Sequence, residues 1–211
     1  GTSLATIIPT SIQSARKHHA RGAMDVPLFK SMIPSIATGV AVGTFTAILV
    51  RGATLTAVFA AVALLVALHM GFTKVDARLR DTFPRGTLRQ MLGMFIGAIS
   101  AMMGIGGGTV GVPLMNLFGT PIRSAVATSS AFGIIVSIPA TIGFIYAGWN
   151  DPLLPPASVG YVNLIGFALI VPASMLATPW GVKLAHTIPP TALKRVFALF
   201  LFVTALRMIY S

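Results

Sequence analysis

The chain has 211 residues, 55% of them hydrophobic and only 9% charged, with a mean hydropathy of +0.87. Soluble domains carry about 25% charged residues, so this surface is not built for water. The formal charge of +11 falls as punctuation between apolar runs, not as the continuous basic face of a nucleic-acid binder, which excludes that class of partner. The acids are Asp25, Asp76, Asp81 and Asp151, and cysteine is absent, which removes disulfides, thiol catalysis and cysteine-held metals.

Residues 1–15 are apolar but too short by themselves to cross ~30 Å of hydrocarbon at ~1.5 Å per residue. No basic segment precedes them in this sequence, so they do not read as a signal peptide. They read as a helix entered partway along, with an element expected upstream. A basic loop follows with Arg16, Lys17, His18, His19, Arg21 and Lys30. Apolar runs near the ~20 residues that a transmembrane helix needs predict spans over Ser31–Val50, Ala53–Phe72, Arg123–Gly148, Val159–Trp180 and Ala192–Tyr210. Between the second and third lie a strongly basic loop (Lys74, Arg78, Arg80, Arg85, Arg89) and an interrupted, Gly-rich apolar stretch, Leu88–Gly119.

An internal repeat orders these pieces. A shift of 126 positions lays Thr2, Ser3, Ala5, Ile8, Ser11, Ile12, Gly22 and Asp25 onto Thr128, Ser129, Ala131, Ile134, Ser137, Ile138, Gly148 and Asp151. Gly39 meets Gly166 after one more residue. Phe59-Ala60, Ala67-Leu68 and Met70 then match Phe197-Ala198, Ala205-Leu206 and Met208. The expected organisation is a first repeat over residues 1–72, incomplete at its N-terminus, a basic cytoplasmic loop over 73–86, and a second repeat over 87–211 with a Gly-rich re-entrant element at 104–119.

The loop after the first Thr-Ser helix is basic, whereas its counterpart from Trp149 to Ser158 has no Lys or Arg. Positive loops stay cytoplasmic, so the copies face opposite ways, the inverted-repeat plan of secondary transporters. If Leu88–Gly119 crosses once, the loop holding Lys183, Lys194 and Arg195 becomes external. If it enters and returns, every basic loop but the Arg51 turn lies inside. The expected fold is therefore an all-α polytopic membrane protein, an inverted-repeat, transporter-like helical bundle with a Gly-rich broken or re-entrant helix.

The most informative segment is Met103–Gly119. Gly106, Gly108 and Gly111 spell G-x-G-x-x-G, but a dinucleotide site needs a preceding strand and an acid about 20 residues on, and no acid stands between Asp81 and Asp151. No Walker lysine follows either. Three consecutive glycines, Gly106, Gly107 and Gly108, cannot sustain a helix, and unwound backbone at membrane depth is tolerated where it lines a cavity or is buried in protein. The break frees amides at Gly106–Thr109, and Pro113 suits an early helical position; helix N-termini of this kind bind anions. The alternative use of the glycines is close helix packing, the role expected of Gly39/Gly43 and Gly93/Gly97. Thr128, Ser129 and Ser130 open the next helix, and Thr2 and Ser3 hold the equivalent place in the first copy; their hydroxyls either donate to an anion or bond back to the preceding turn. Arg123 attracts an anion or anchors at the interface, and Asn116 offers an amide to substrate. His18, His19 and Arg21 read as positive-inside determinants, not as a metal or lipid-phosphate site. His69 and Arg207 align near helix ends, where snorkelling explains both. No carboxylate lies in a span, so any coupling must pass through the anion, through His or through residues upstream.

Gly104-Ile-Gly-Gly-Gly-Thr-Val-Gly-Val-Pro-Leu114, Ala125-Val-Ala-Thr-Ser-Ser130 and the Gly148-Trp149 loop together resemble the sulfite exporter TauE/SafE family of bacterial transporters. The opening Gly-Thr-Ser-Leu-Ala and the downstream His-His-Ala-Arg-Gly are similar to that family's first Thr-Ser helix. The resemblance implies a multi-pass bacterial inner-membrane carrier, not an enzyme, with two related halves and a small inorganic or organic sulfur anion such as sulfite or an organosulfonate as substrate. Its partners would be that anion and the lipid bilayer, with no nucleic acid, no cofactor and no metal; assembly into a homo-oligomer is open on the sequence. The family carries a Gly-rich element in each half and this sequence shows one, so the alternative is a non-transporting membrane subunit or a truncated relic.

Overall fold

Asp25 shows how local chemistry sets the element boundaries. Its carboxylate accepts the Leu28 amide at 2.9 Å, and Pro27 follows in the first turn, the capping chemistry that starts a helix. The span expected from Ser31 therefore begins at Val26. The computed structural model describes residues 1–50, 52–72 and 82–209; Arg51, Lys74, Asp76, Arg78, Arg80, Asp81 and the side chain of His69 lie outside the described residues. In chain order the helices are α1 (Thr2–Ala20), α2 (Val26–Leu49), α3 (Gly52–Phe72), α4 (Thr87–Met103), α5 (Gly108–Leu117), α6 (Ile122–Ala147), α7 (Leu164–Thr187) and α8 (Pro190–Ile209). A short antiparallel ribbon, β1 (Ser158–Val159) with β2 (Val162–Asn163), precedes α7. The chain is an all-α membrane protein in which α2, α6 and α7 are each long and apolar enough to cross a bilayer.

Three expectations change. Residues 16–19 are not loop: α1 runs through Arg16-Lys17-His18-His19 to Ala20, because cationic residues in a last turn complement the helix dipole. At 19 residues, α1 is about 28 Å long at ~1.5 Å per residue. The span expected from Val159 starts at Leu164, where Asn163 Oδ1 accepts the Gly166 amide at 2.8 Å, and continues past Trp180 to Thr187. The residue that plays Asp25's part in the second copy is thus Asn163, not Asp151, a separation of 138 positions, which also places Pro34 on Pro172. The loop of the second copy is longer, and that is why the 126-position register holds to Gly22 and Gly148 at the helix ends but fails at Asp25 and Gly39.

The packing carries the same correspondence. The Asp25 amide donates to Thr128 Oγ1 at 2.9 Å, and the Asn163 amide donates to Thr2 Oγ1 at 2.9 Å. So α2 starts against α6 as α7 starts against α1, and α3 lies on α8. A glycine seam joins α2 to α4: a Cβ added at Gly39 or Gly43 would collide with backbone of Met94 or Ala98, and one at Gly97 with backbone of Ile36. This is the close-packing use of small residues, and the rising numbers on both sides make α2 and α4 parallel. Leu4, Met32, Ile36, Ile96, Met115 and Phe132 form the buried centre. Leu169, Leu176, Trp180, Leu199 and Phe200 stand exposed on α7 and α8, a surface suited to hydrocarbon. One end of the bundle gathers Arg16, Lys17, Arg21, Lys30, Arg85, Arg89, Arg123, Lys183, Lys194 and Arg195; it is called the basic end below.

Candidate functional site: a cavity under a broken helix

Helix α4 ends at Gly104, whose φ of 68° is the left-handed conformation that glycine adopts without penalty. Four residues later α5 begins and runs back. Phe83, before α4, meets Phe118, after α5, edge-on at a centroid distance of 6.1 Å, so the element enters and leaves at the basic end. The re-entrant form has a local cause: Gly106-Gly107-Gly108 cannot continue α4, and the Gly104 cap turns the chain. Ser3 Oγ donates to the Gly104 carbonyl at 2.7 Å, tying the start of α1 to the apex. Gly107 lies against Phe132 and Gly133, about 16 Å along α6 from its start at ~1.5 Å per residue, half the ~30 Å hydrocarbon depth.

Below this apex is a cavity of about 430 Å³. Gly106, Gly107, Gly108 and Thr109 form its roof, α6 supplies Ser129, Ser130 and Gly133, and α7 supplies Thr178, Gly181, Val182 and Ala185. The remaining wall is one face of α1, with Ile7, Thr10, Ser11, Ser14 and His18 at helical spacing. The first-turn amides of a helix have no intrahelical partner; in α5 the Thr109 amide reaches the Gly106 carbonyl at 3.4 Å and the Gly111 amide the Gly107 carbonyl at 2.8 Å, and the first-turn amide not so engaged at the roof is that of Gly108. A Cβ at Gly107 would strike Phe132, whereas one at Gly108 meets nothing within 4 Å. Gly107 is therefore a packing glycine and Gly108 an open one. No lining residue among the described residues is acidic.

The eleven residues expected from the sequence divide by place. Gly106, Gly107, Gly108, Thr109, Ser129 and Ser130 line the cavity. Ser129 and Ser130 bond back to the carbonyls of Ala125 (2.6 Å) and Ala127 (2.7 Å), which satisfies their hydrogens within α6. Thr128, fully buried, accepts the Asp25 amide, and Thr2 accepts that of Asn163; both join helices outside the cavity wall. Ser3 holds the apex. Asn116 donates to the Thr120 carbonyl at 3.2 Å and closes the α5–α6 turn. Arg123 donates to the Ile188 carbonyl at 3.0 Å at the end of α7, beside the cavity rather than in its wall.

The polar face of α1 escaped sequence reasoning because Arg16–His19 read as loop. Thr10, Ser11, Ser14 and His18 recur at three- and four-residue steps, and that periodicity was the available signal. His18 is not a loop determinant. It is 2% exposed, and its Nδ1 lies 3.0 Å from His186 Nε2. Arg21, beside it, donates to the Val182 carbonyl at 3.0 Å. No cluster of three or more metal-binding side chains occurs among the described residues.

A family model described as sulfite exporter TauE/SafE matches residues 1–208. A protein named "Probable membrane transporter protein" from Haemophilus influenzae is 32% identical over 211 residues, covering 99% of this chain and 79% of its own length. One of the same description from Methanocaldococcus jannaschii is 29% identical over 125 residues, 56% of this chain and 43% of its own. No solved structure matches significantly.

Proposed function

This chain belongs to the sulfite exporter TauE/SafE family of membrane transporters, and on that premise we propose that it carries small sulfur oxyanions, sulfite or short organosulfonates, out of the cell across the bacterial inner membrane. The observation behind this reading is the cavity roofed by Gly106–Thr109, where the N-terminus of α5 opens on a space with no acidic side chain among its described lining residues. Such a terminus favours an anion, and a hydrogen bond to a charged group contributes about 1.5–3 kcal/mol. A volume of about 430 Å³ holds sulfite with several waters at ~30 Å³ each, or a short sulfonate alone. Thr109 and the α1 hydroxyls of Ser11 and Ser14 add donors at the wall.

The basic end is cytoplasmic on the positive-inside rule, so anions concentrate at the mouth next to Arg21 and Arg123. The interior-negative potential then favours their exit, by about 2.3 kcal/mol per charge per 100 mV. Residues 1–72 and 87–211 form two inverted halves about the α1–α6 contact, and rocking of one against the other exposes the cavity alternately. The test is uptake of radiolabelled sulfite by proteoliposomes containing the purified chain. Saturable uptake, competed by a short alkylsulfonate, supports the reading; uptake equal to protein-free liposomes contradicts it.

A further inference from the structure

Among the described residues His18 is the one titratable side chain in the cavity wall, and the proposed anion path leaves it without a role. It sits at the basic end of the cavity, roughly 16 Å along α1 from Ile7 at ~1.5 Å per residue, so an anion moving between the roof and the basic end passes it. Its Nδ1 is 3.0 Å from His186 Nε2, with ring centroids 5.1 Å apart. One ring nitrogen must donate and the other accept, so at least one imidazole of the pair is neutral; a second proton puts hydrogen on both facing nitrogens and breaks the bond.

The surroundings sharpen this. From the end of α1 the pair is faced by Arg21, the residue after its last turn, and from α6 by Arg123. Both guanidiniums are held on carbonyls at 3.0 Å each, that of Val182 in α7 and that of Ile188 just after it. On α7 itself Lys183 is exposed, and on α8 Lys194 is buried one turn before the cavity-lining Phe197. Every charged group named here is cationic. An oxyanion in the cavity brings a countercharge that favours a proton on the pair.

We infer that the hydrogen-bonded His18–His186 pair, bridging α1 of one half and α7 of the other at the cavity's basic end, takes up a proton together with the anion, which makes the carrier a proton–anion cotransporter. The inference rests on the reading of this cavity as the anion path. Binding free energies are reciprocal: if the anion favours the proton on the pair, the proton favours the anion in the cavity. Burial, with His186 and Arg21 beside it, holds the His18 imidazole below its ordinary range, so the empty pair is neutral near neutral pH and takes its proton when the anion's charge arrives beside it. Because it ties α1 to α7, its protonation state also biases the two halves that must move.

The experiment follows sulfite and protons together in proteoliposomes, with a trapped pH dye and the membrane potential clamped, for the native chain and for His18→Gln and His186→Gln. Sulfite takes up protons of its own near neutrality, so the reading is the difference in protons per sulfite between native and variant chains at the same pH. A single variant leaves one imidazole able to take the proton, so the decisive chain carries both substitutions. The expected result is about one more proton per sulfite for the native chain than for the double variant at the same pH. Sulfite uptake with an unchanged proton ratio in that chain overturns the inference and leaves the carrier standing. Absence of sulfite uptake by the native chain overturns the carrier reading and this inference with it.

Discussion

Glycine does two different jobs in this molecule, and the α2–α4 seam and the α4–α5 break separate them. In the seam, Gly39, Gly43 and Gly97 each stand where a Cβ would meet the backbone of the facing helix. That backbone cannot yield without moving the whole helix. At the break, Gly104 and Gly108 have nothing within 4 Å of an added Cβ. The first is needed for its positive φ, and the second leaves room under the α5 N-terminus. Gly107 belongs to the seam type despite its place in the break, because Phe132 fills the space beside it. A run of glycines therefore says that the backbone comes close to something, and only the neighbours decide whether that something is a helix or a ligand.

The largest effect is expected in the seam. Gly97→Leu forces α4 from α2 and costs about 3 kcal/mol or more, read as loss of the folded species in a thermal melt of the detergent-solubilised protein. If Gly97→Leu folds like the native chain, the division between the two glycine regions breaks down. Gly107→Leu follows, since its side chain must displace Phe132; it is expected to lower stability and transport together. Gly108→Leu sharpens the comparison from the other side: melting within a few degrees of the native chain, but sulfite affinity down at least tenfold, about 1.4 kcal/mol. Ser3→Ala removes the hydroxyl from the Gly104 carbonyl and is expected to cost about 1 kcal/mol, read as a lower midpoint in the same melt. Smallest is Asp25→Asn, near neutral because Asn163 performs the same capping in the second copy, whereas Asp25→Ala costs about 1 kcal/mol.

Much of this was legible in the residues. Long apolar runs at low charge announce membrane helices, and three adjacent glycines announce a break in one of them. The repeat was visible through Thr2-Ser3 and Thr128-Ser129, but its register slipped at the loops. Asp25 and Asn163 cap their helices through the same side-chain oxygen with different residue types, and the second copy's loop adds a ribbon that no apolar pattern marks. The hydroxyl side chains were overrated as donors for an equally physical reason. Within a helix, a Ser or Thr hydroxyl finds its own carbonyl three or four residues back, as Ser129 and Ser130 do, and sequence cannot tell that from readiness for a ligand. His18 was misplaced because charge marks a membrane boundary well and a helix end poorly. The helix continued through Arg16 and Lys17 and carried one imidazole inward against His186.

The central claim is that an anion sits under the first turn of α5. Calorimetric titration of sulfite into the purified native protein, beside Gly108→Leu of matched melting behaviour, tests it most directly. The account predicts saturable binding to the native chain that weakens at least tenfold, about 1.4 kcal/mol, when the leucine side chain enters the cavity. Equal binding by the two folded proteins would contradict it.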